Sequence, residues 1–379
     1  MDNPPASELR YLMGINEGPC FSFFLPTRKC GVETLQNPIR LKNLLRQAFQ
    51  TAQARGIHAA RVREILTPVS DLVDHYEFWQ HQNEGLAVFR SPGVYRVCRL
   101  FLSVPELMVM GARFHLKPLL PAITGDSHFY VLALSQNQGH LYRASREGII
   151  EIHAEGLPVG AGETPAARGP ERSLQSHTVG KRQTAVFHGH GGGEEDKKGT
   201  ALAFFRSVDQ AVDEVLSRDT APLILACVDY LSAMYREVNS CARLLGECLP
   251  GNPERLSPGE LLAGTLPVAE RHFSRQKREA AARYFELAHA GRACNTPDRV
   301  MRAAFEGRVE CLFVASGVQV WGRFNPRSGE TILGLERTPE DEDVLNLAVL
   351  YTCAAGGTAY LVPPDDVPGG ASLAALLRY

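Results

Sequence analysis

The stretch His188-Gly-His-Gly-Gly-Gly193 sets two imidazoles two residues apart on a backbone almost bare of side chains, and runs straight into Glu194-Glu-Asp-Lys-Lys198. Imidazoles at that spacing can face one metal ion, with Glu194, Glu195 and Asp196 close by to complete a ligand set. The glycines oppose this use, because their free state carries the highest backbone entropy and preorganising a site there is costly. A nucleotide-hydrolase phosphate loop needs Gly-Lys followed by Ser or Thr; here Lys197 and Lys198 precede Gly199 and the pattern fails. A dinucleotide fingerprint fails in both registers, since the sixth position is Glu194 counted from Gly189 and Asp196 counted from Gly191. A further use is docking: His188, Gly189, His190, Gly191, Gly192 and Gly193 can approach RNA closely and offer bare N–H groups to phosphate and sugar oxygens in a narrow channel. Lys181, Arg182, Lys197 and Lys198 put positive charge beside them. The bland alternative is a solvated loop with no direct role.

Holding such a tip requires a rigid body on both sides. After it, Leu202, Phe205, Val208, Val212 and Val215 recur at helical spacing, with Thr200 as the expected cap. Leu223-Ile-Leu-Ala-Cys-Val228 predicts a central strand and Ser232 to Cys248 a helix, then the turn Pro250-Gly-Asn-Pro253 and a long helix to His289. Before it, Phe129-Tyr-Val-Leu-Ala-Leu134 and His140-Leu-Tyr-Arg143 predict a hairpin. Residues 154–183 are poor in large apolar groups and predict a long insertion, and Thr184 to Phe187 a strand leading into the tip. Upstream, Phe21 to Leu25, Gly85 to Phe89 and Val94 to Leu102 predict strands, and Ile39 to Phe49 a helix. Downstream, helices are expected at Asp298 to Glu306 and Glu342 to Thr352, and strands at Glu310 to Ala315, Val318 to Phe324 and Thr358 to Val362, with an Ala/Leu segment at the end. The division expected is an N-terminal α+β domain at 1–124, a central α/β domain at 125–292 with its Gly-rich loop at 188–199, and a small C-terminal α/β sandwich at 293–379.

The chain has 379 residues, 44% hydrophobic and 22% charged, which fits two or three globular domains and excludes a fibrous or wholly disordered class. Nine cysteines without a C-x-x-C pair predict reduced thiols and a cytoplasmic setting. No apolar run is long enough to span a bilayer. A net charge of -2 leaves no protein-wide field for nucleic acid, so RNA contact must come from local patches. Arg40, Lys42, Arg46, Arg55, Arg61 and Arg63 form one such patch, to be weighed against an ordinary solvated helix face. Arg271, Arg275, Lys277, Arg278 and Arg283 are interspersed with Glu270, Glu279 and Glu286, which predicts pairing within the helix. Trp79 and Trp321 are expected in the core, and His75, His115 and His272 as structural.

The tip, followed by Ala201-Leu-Ala-Phe204, resembles that of the archaeo-eukaryotic class I release factors, relatives of Pelota; in the release factors it reads His-Gly-Arg-Gly-Gly-Gln-Ser and then Ala-Leu-Arg-Phe. With PLILACVDYLSAMYREVN at 222–239 and AAFEGRVECLFVASG at 303–317, the whole chain is similar to the bacterial archaeo-eukaryotic release-factor-like family, relatives of the hibernation factor Balon. The resemblance implies a ribonuclease-H-like central domain and a C-terminal sandwich of the Pelota domain 3 type. It implies a cytoplasmic factor in the ribosomal A site, its tip directed at the rRNA of the peptidyl transferase centre and its first domain toward the decoding region. The roles implied are hibernation, rescue or stress-linked control, with a translational GTPase such as elongation factor Tu as partner, and with no cofactor and no resident metal. Gly193 stands where the release factors carry Gln, so the amide that helps place the attacking water is missing. The stop-codon motifs are absent too, and Tyr95-x-x-Cys98-x-x-Phe101 has the wrong spacing for one. Phe129 to Leu134 holds no acid for two-metal chemistry. The alternatives are a hydrolase, acting on peptidyl-tRNA or through a metal on His188 and His190, and a protein-binding module that never touches RNA.

Overall fold

A computed structural model of the protein describes residues 6–28, 32–136, 138–154, 156–157, 194–217, 219, 221–334, 338 and 340–379. They form two compact units, one of Met1–His128, Ser145–Glu147 and Glu270–Tyr379, the other of Phe129–Ala144 and Gly148–Ala269.

The first unit begins with α1 (Ala6–Gly14), β1 (Cys20–Pro26), α2 (Gln36–Ala54), α3 (Ala59–Ser70) and α4 (Tyr76–Gln80). β2 (Gly85–Arg90), β3 (Tyr95–Leu100), β4 (Leu107–Gly111) and the short α5 (Leu120–Ile123) follow. The sheet order is β3-β2-β1-β4, with β1 antiparallel to both its neighbours. Two-residue alternation divides β1: Phe21, Phe23 and Leu25 pack with Leu41, Leu44 and Ala48 of α2, whereas Cys20 and Phe24 pack with Leu9, Leu12 and Phe114 on the other face. β4 was not expected from the sequence; it is a short apolar run without alternation, buried beside β1. Trp79 is in the core as expected, its indole N–H donating to Leu72 O at 2.7 Å.

The second unit contains β5 (Phe129–Leu134), β6 (Gly139–Ser145), β7 (Gly148–Ile152), α6 (Glu194–Leu216), β8 (Leu223–Cys227), α7 (Asp229–Val238) and β9 (Leu244–Pro250). α8 (Pro258–Ala288) follows, its residues up to Ala269 counted in this unit and those from Glu270 in the first. The sheet order is β7-β6-β5-β8-β9, with β5 antiparallel to β6 and parallel to β8, and β8 parallel to β9. This is the ribonuclease-H-like arrangement expected of the central domain. The helix expected from Ser232 to Cys248 stops at Val238, and its second half is β9 instead. Asn239 turns extended, and Ser240 gives both its N–H and its hydroxyl to the Asp209 carboxylate, at 3.0 and 2.6 Å, so the backbone bond that would continue the helix is diverted.

The first unit is completed by β10 (Ala293–Cys294), α9 (Pro297–Phe305), β11 (Val309–Ala315), β12 (Trp321–Asn325), β13 (Glu330–Leu333), β14 (Glu342–Asp343), α10 (Val344–Ala354), β15 (Thr358–Val362) and β16 (Leu373–Leu377). β10-β16-β11-β15 form one sheet and β13-β12-β14 another. The terminal Ala/Leu segment is β16, an interior strand buried at every position.

The two ends of the chain meet within this unit. Lys117, 2% exposed, places its ammonium 2.8 Å from Asp343 Oδ2 and also donates to Val318 O. The other oxygen of Asp343 accepts the N–H groups of Val320 and Leu345, each at 3.1 Å, capping α10. Asn346 accepts from the N–H groups of Leu116 and Lys117 at 2.7 and 3.0 Å and donates to Phe114 O at 3.2 Å. Arg113 donates to Glu342 at 3.0 Å on a wetter flank. Leu350 of α10 packs with Phe114, Leu116 and Leu119.

Asp343→Ala strands a buried ammonium and is expected to cost about 3–5 kcal/mol in a denaturant titration. Arg283→Ala, which breaks the exposed Arg283–Glu310 pair, is expected to cost about 1 kcal/mol or less in the same titration.

Candidate functional site

The predicted tip, His188 to Gly193, and the strand expected before it lie outside the described residues, as do the bulk of the insertion and its basic residues Lys181 and Arg182. The structure shows what stands behind the tip. α6 begins at Glu194, so residues 194–199 of the expected loop 188–199 are helical, and Thr200 sits inside the helix instead of capping it. Gly199 is accommodated within the helix at a cost of about 1 kcal/mol relative to Ala. Phe204, Phe205, Val208, Val212 and Leu216 form the buried stripe of α6 and pack with Leu132, Leu141, Leu223 and Leu225 of the sheet. This stripe is displaced from the periodicity expected: Leu202 is only half-buried, while Phe204 and Leu216 are in the core.

One polar group pins α6 from inside. Asp209 is 6% exposed and accepts from Tyr235 Oη at 3.2 Å as well as from Ser240. Burial, and then the neighbouring Asp209 charge, push the Tyr235 phenol well above its usual range, so it remains a donor. Lys198 lies 3.5 Å from Glu237 of α7 as an exposed pair of small energetic weight.

The carboxyl ends of β5 and β8 frame a second feature. The chain leaves β5 toward β6 on one side of the sheet and leaves β8 through α7 toward β9 on the other, which makes this edge a topological switch point. Gly251, at φ 115, turns the chain after β9 so that Asn252, Pro253 and Glu254 close over it. The result is a crevice of about 320 Å³ bounded by Leu134, Gln136, Tyr230, Asn252, Pro253 and Glu254. No signal in the sequence beyond the turn residues marked it.

The thiols are poor nucleophile candidates. Burial pushes Cys20, Cys98, Cys227 and Cys311 up to about 12 and Cys353 up to about 11, so few are ionised at neutral pH. Among the described residues no group of three or more His, Cys, Asp or Glu side chains is placed to hold a metal ion. Cys98 and Phe101 are buried, and Tyr95 donates to Pro68 O at 3.0 Å, so this trio belongs to the core. Trp321 is half-buried on β12.

The basic residues divide. Lys42 and Arg46 are exposed on α2, whereas Arg40 donates to Pro26 O at 3.2 Å, Arg61 pairs with Glu64 at 2.8 Å and Arg63 lies over the Phe49 ring. In α8 only Arg275–Glu279, at 3.5 Å, shows the expected pairing within the helix among the ion pairs described. Lys277 instead reaches Asp126 at 2.6 Å, Arg283 grips Glu310 with two bonds of 2.7 and 3.1 Å, and Glu270 pairs with Arg146 at 3.2 Å. These partners are distant in sequence, which helical spacing alone cannot reveal. His115, 1% exposed, lies 3.8 Å from Asp343 beside the Lys117 pair, a proximity its sequence neighbours give no hint of.

Residues 128–308 match the profile of bacterial archaeo-eukaryotic release factor family 3. Over this segment the chain is similar to the bacterial archaeo-eukaryotic release-factor-like proteins. Among solved structures it is similar to Dom34 of S. cerevisiae, a translation termination-like factor, at 13% identity over 76% of this chain and 74% of that one, with a TM-score of 0.41. A model of ribosome-bound archaeal Pelota and ABCE1 matches at 11% identity over 100% and 95%, with a TM-score of 0.39. The archaeal translation termination factor aRF1 matches at 14% identity over 99% and 97%, with a TM-score of 0.27. No curated protein matches the sequence. Among the described residues no helix is long and apolar enough to cross a membrane.

Asp209→Ala leaves the Ser240 N–H and the Tyr235 hydroxyl without their acceptor and is expected to cost about 1–3 kcal/mol per stranded group, read by denaturant titration. The buried thiol of Cys227 and the phenol of Tyr235 are both held protonated by the fold. Their contribution is therefore complete below the unfolded-state pKa and is lost as pH rises. The denaturation midpoint is expected to fall between the ordinary thiol value of 9.0 and about 12.

Proposed function

We propose that the protein is a cytoplasmic translation factor that works on the ribosome. The observation that carries this reading is the family match over residues 128–308, which spans the ribonuclease-H-like unit that bears the tip. In this reading the protein enters the A site and directs His188 to Gly193 at the rRNA of the peptidyl transferase centre, while the N-terminal region meets the decoding region. The rigid mounting of α6 by its apolar stripe and by Asp209 supports it, since a side-chain-poor segment needs a fixed base to be aimed. The three-part division at 1–124, 125–292 and 293–379 is proposed as a division of labour on the ribosome.

The proposed task is hibernation, rescue or stress-linked control of translation, not peptide release, because Gly193 replaces the tip Gln of the release factors. Yeast Dom34 is described as interacting with Hbs1, and a translational GTPase of the elongation factor Tu kind is the proposed partner by the same resemblance.

The purified protein is expected to co-sediment with 70S ribosomes at moderate salt, and deletion of residues 188–193 to weaken that binding or shift the occupied state. Absence from the ribosome fraction of both growing and starved cells would sink the reading. Release of peptide from loaded ribosomes would instead support a hydrolase, and stoichiometric metal lost on His188→Ala plus His190→Ala a metal enzyme.

A further inference from the structure

The crevice at the ends of β5 and β8 is separate in sequence from the tip, and three of its properties converge on one ligand chemistry. Tyr230, in the first turn of α7, is 52% exposed at its rim, and Gln136 Nε2 donates to the phenol oxygen. The ring is thus steadied in an open position, as a stacking platform needs. The two amides are left with complementary capacity. Gln136 uses one N–H on Tyr230 and keeps its carbonyl acceptor and a second N–H, whereas Asn252 accepts the N–H of Glu254 at 3.1 Å and keeps its NH2 donors. The crevice wall carries Glu254 and neither Lys nor Arg, so a phosphate is repelled where a neutral group is not.

A planar neutral group with both donors and acceptors on its edge, small enough for about 320 Å³, is a nucleobase. The geometry points to this crevice as a receptor for a single unpaired nucleobase, stacked on Tyr230 and met at its edge by Gln136 and Asn252. An arginine side chain would satisfy Glu254 and stack equally well. Having donors alone, it would leave the Asn252 NH2 unmatched, which favours the base. That the base comes from ribosomal or transfer RNA rests on the function proposed above; that the crevice takes a base does not.

The test is titration of the isotope-labelled full chain with adenosine, guanosine, cytidine and uridine, followed by amide chemical shifts. At least one nucleoside is expected to shift resonances at 134–136, 229–231 and 252–254. Tyr230→Ala should weaken that nucleoside roughly tenfold or more, whereas Tyr230→Phe, which keeps the ring, should bind nearly as the parent does. In co-sedimentation Tyr230→Ala should raise the apparent Kd for ribosomes roughly fivefold or more. Absence of shifts with all four nucleosides overturns the proposal. So does a stronger response at the same residues to arginine methyl ester, which assigns the crevice to a cationic side chain, or an equal loss in the Phe and Ala variants. Nucleoside shifts in a protein that ignores ribosomes would leave the crevice standing while the translation reading fell.

Discussion

An ammonium group sealed from water must have its counter-charge within reach, and Lys117 has one in Asp343. Any arrangement that parts them leaves a buried charge unpaired, at a cost of several kcal/mol. The requirement propagates outward. The second oxygen of Asp343 caps α10, and Asn346, in the first turn of that helix, holds the backbone that carries Lys117 in place. Segments from opposite ends of the sequence are thereby committed to a single body, with Leu350 filling the apolar space beside Phe114 and Leu116.

The other unit solves a related problem with a carboxylate facing neutral donors. Asp209 receives two hydroxyls and an amide, which hold α6 against α7 and end α7 where it must give way to β9. A helix so fixed gives the glycine-rich segment before it a firm base, and the family match covers this unit and runs on to residue 308. The parallel strands supply a second consequence: their connections diverge at one edge and leave the crevice whose rim is Tyr230.

Much of this was legible from residue order. β5 and β15 occur over the very residues indicated, and β1, β2 and β8 differ from expectation by one or two residues at most. Their periodicity is local, so a linear reading finds it. The start of α6 was misplaced because Gly199 and Thr200 look like a boundary, whereas the helix passes through both. β9 was read as helix because the residue that stops α7, Asp209, lies 31 positions from Ser240. The Lys117 pair, the partners of Lys277 and Arg283, and the crevice are likewise contacts across long stretches of chain, for which no spacing rule exists. The tip is the plainest sequence feature of all, because a run of glycines between two histidines and a charged stretch is visible in residue order without any fold.

A separation of 226 residues divides Lys117 from Asp343. During synthesis the lysine therefore emerges long before its acid exists, while the intervening ribonuclease-H-like unit, 129–144 and 148–269, is already complete enough to fold. The face formed by Phe114, Leu116 and Leu119 packs against Leu9, Leu12, Phe24 and Phe89 from the same early stretch, and receives Leu350 only when α10 arrives. Closing this unit thus requires a contact between residues far apart in the chain, the kind of contact whose loop-closure entropy slows folding.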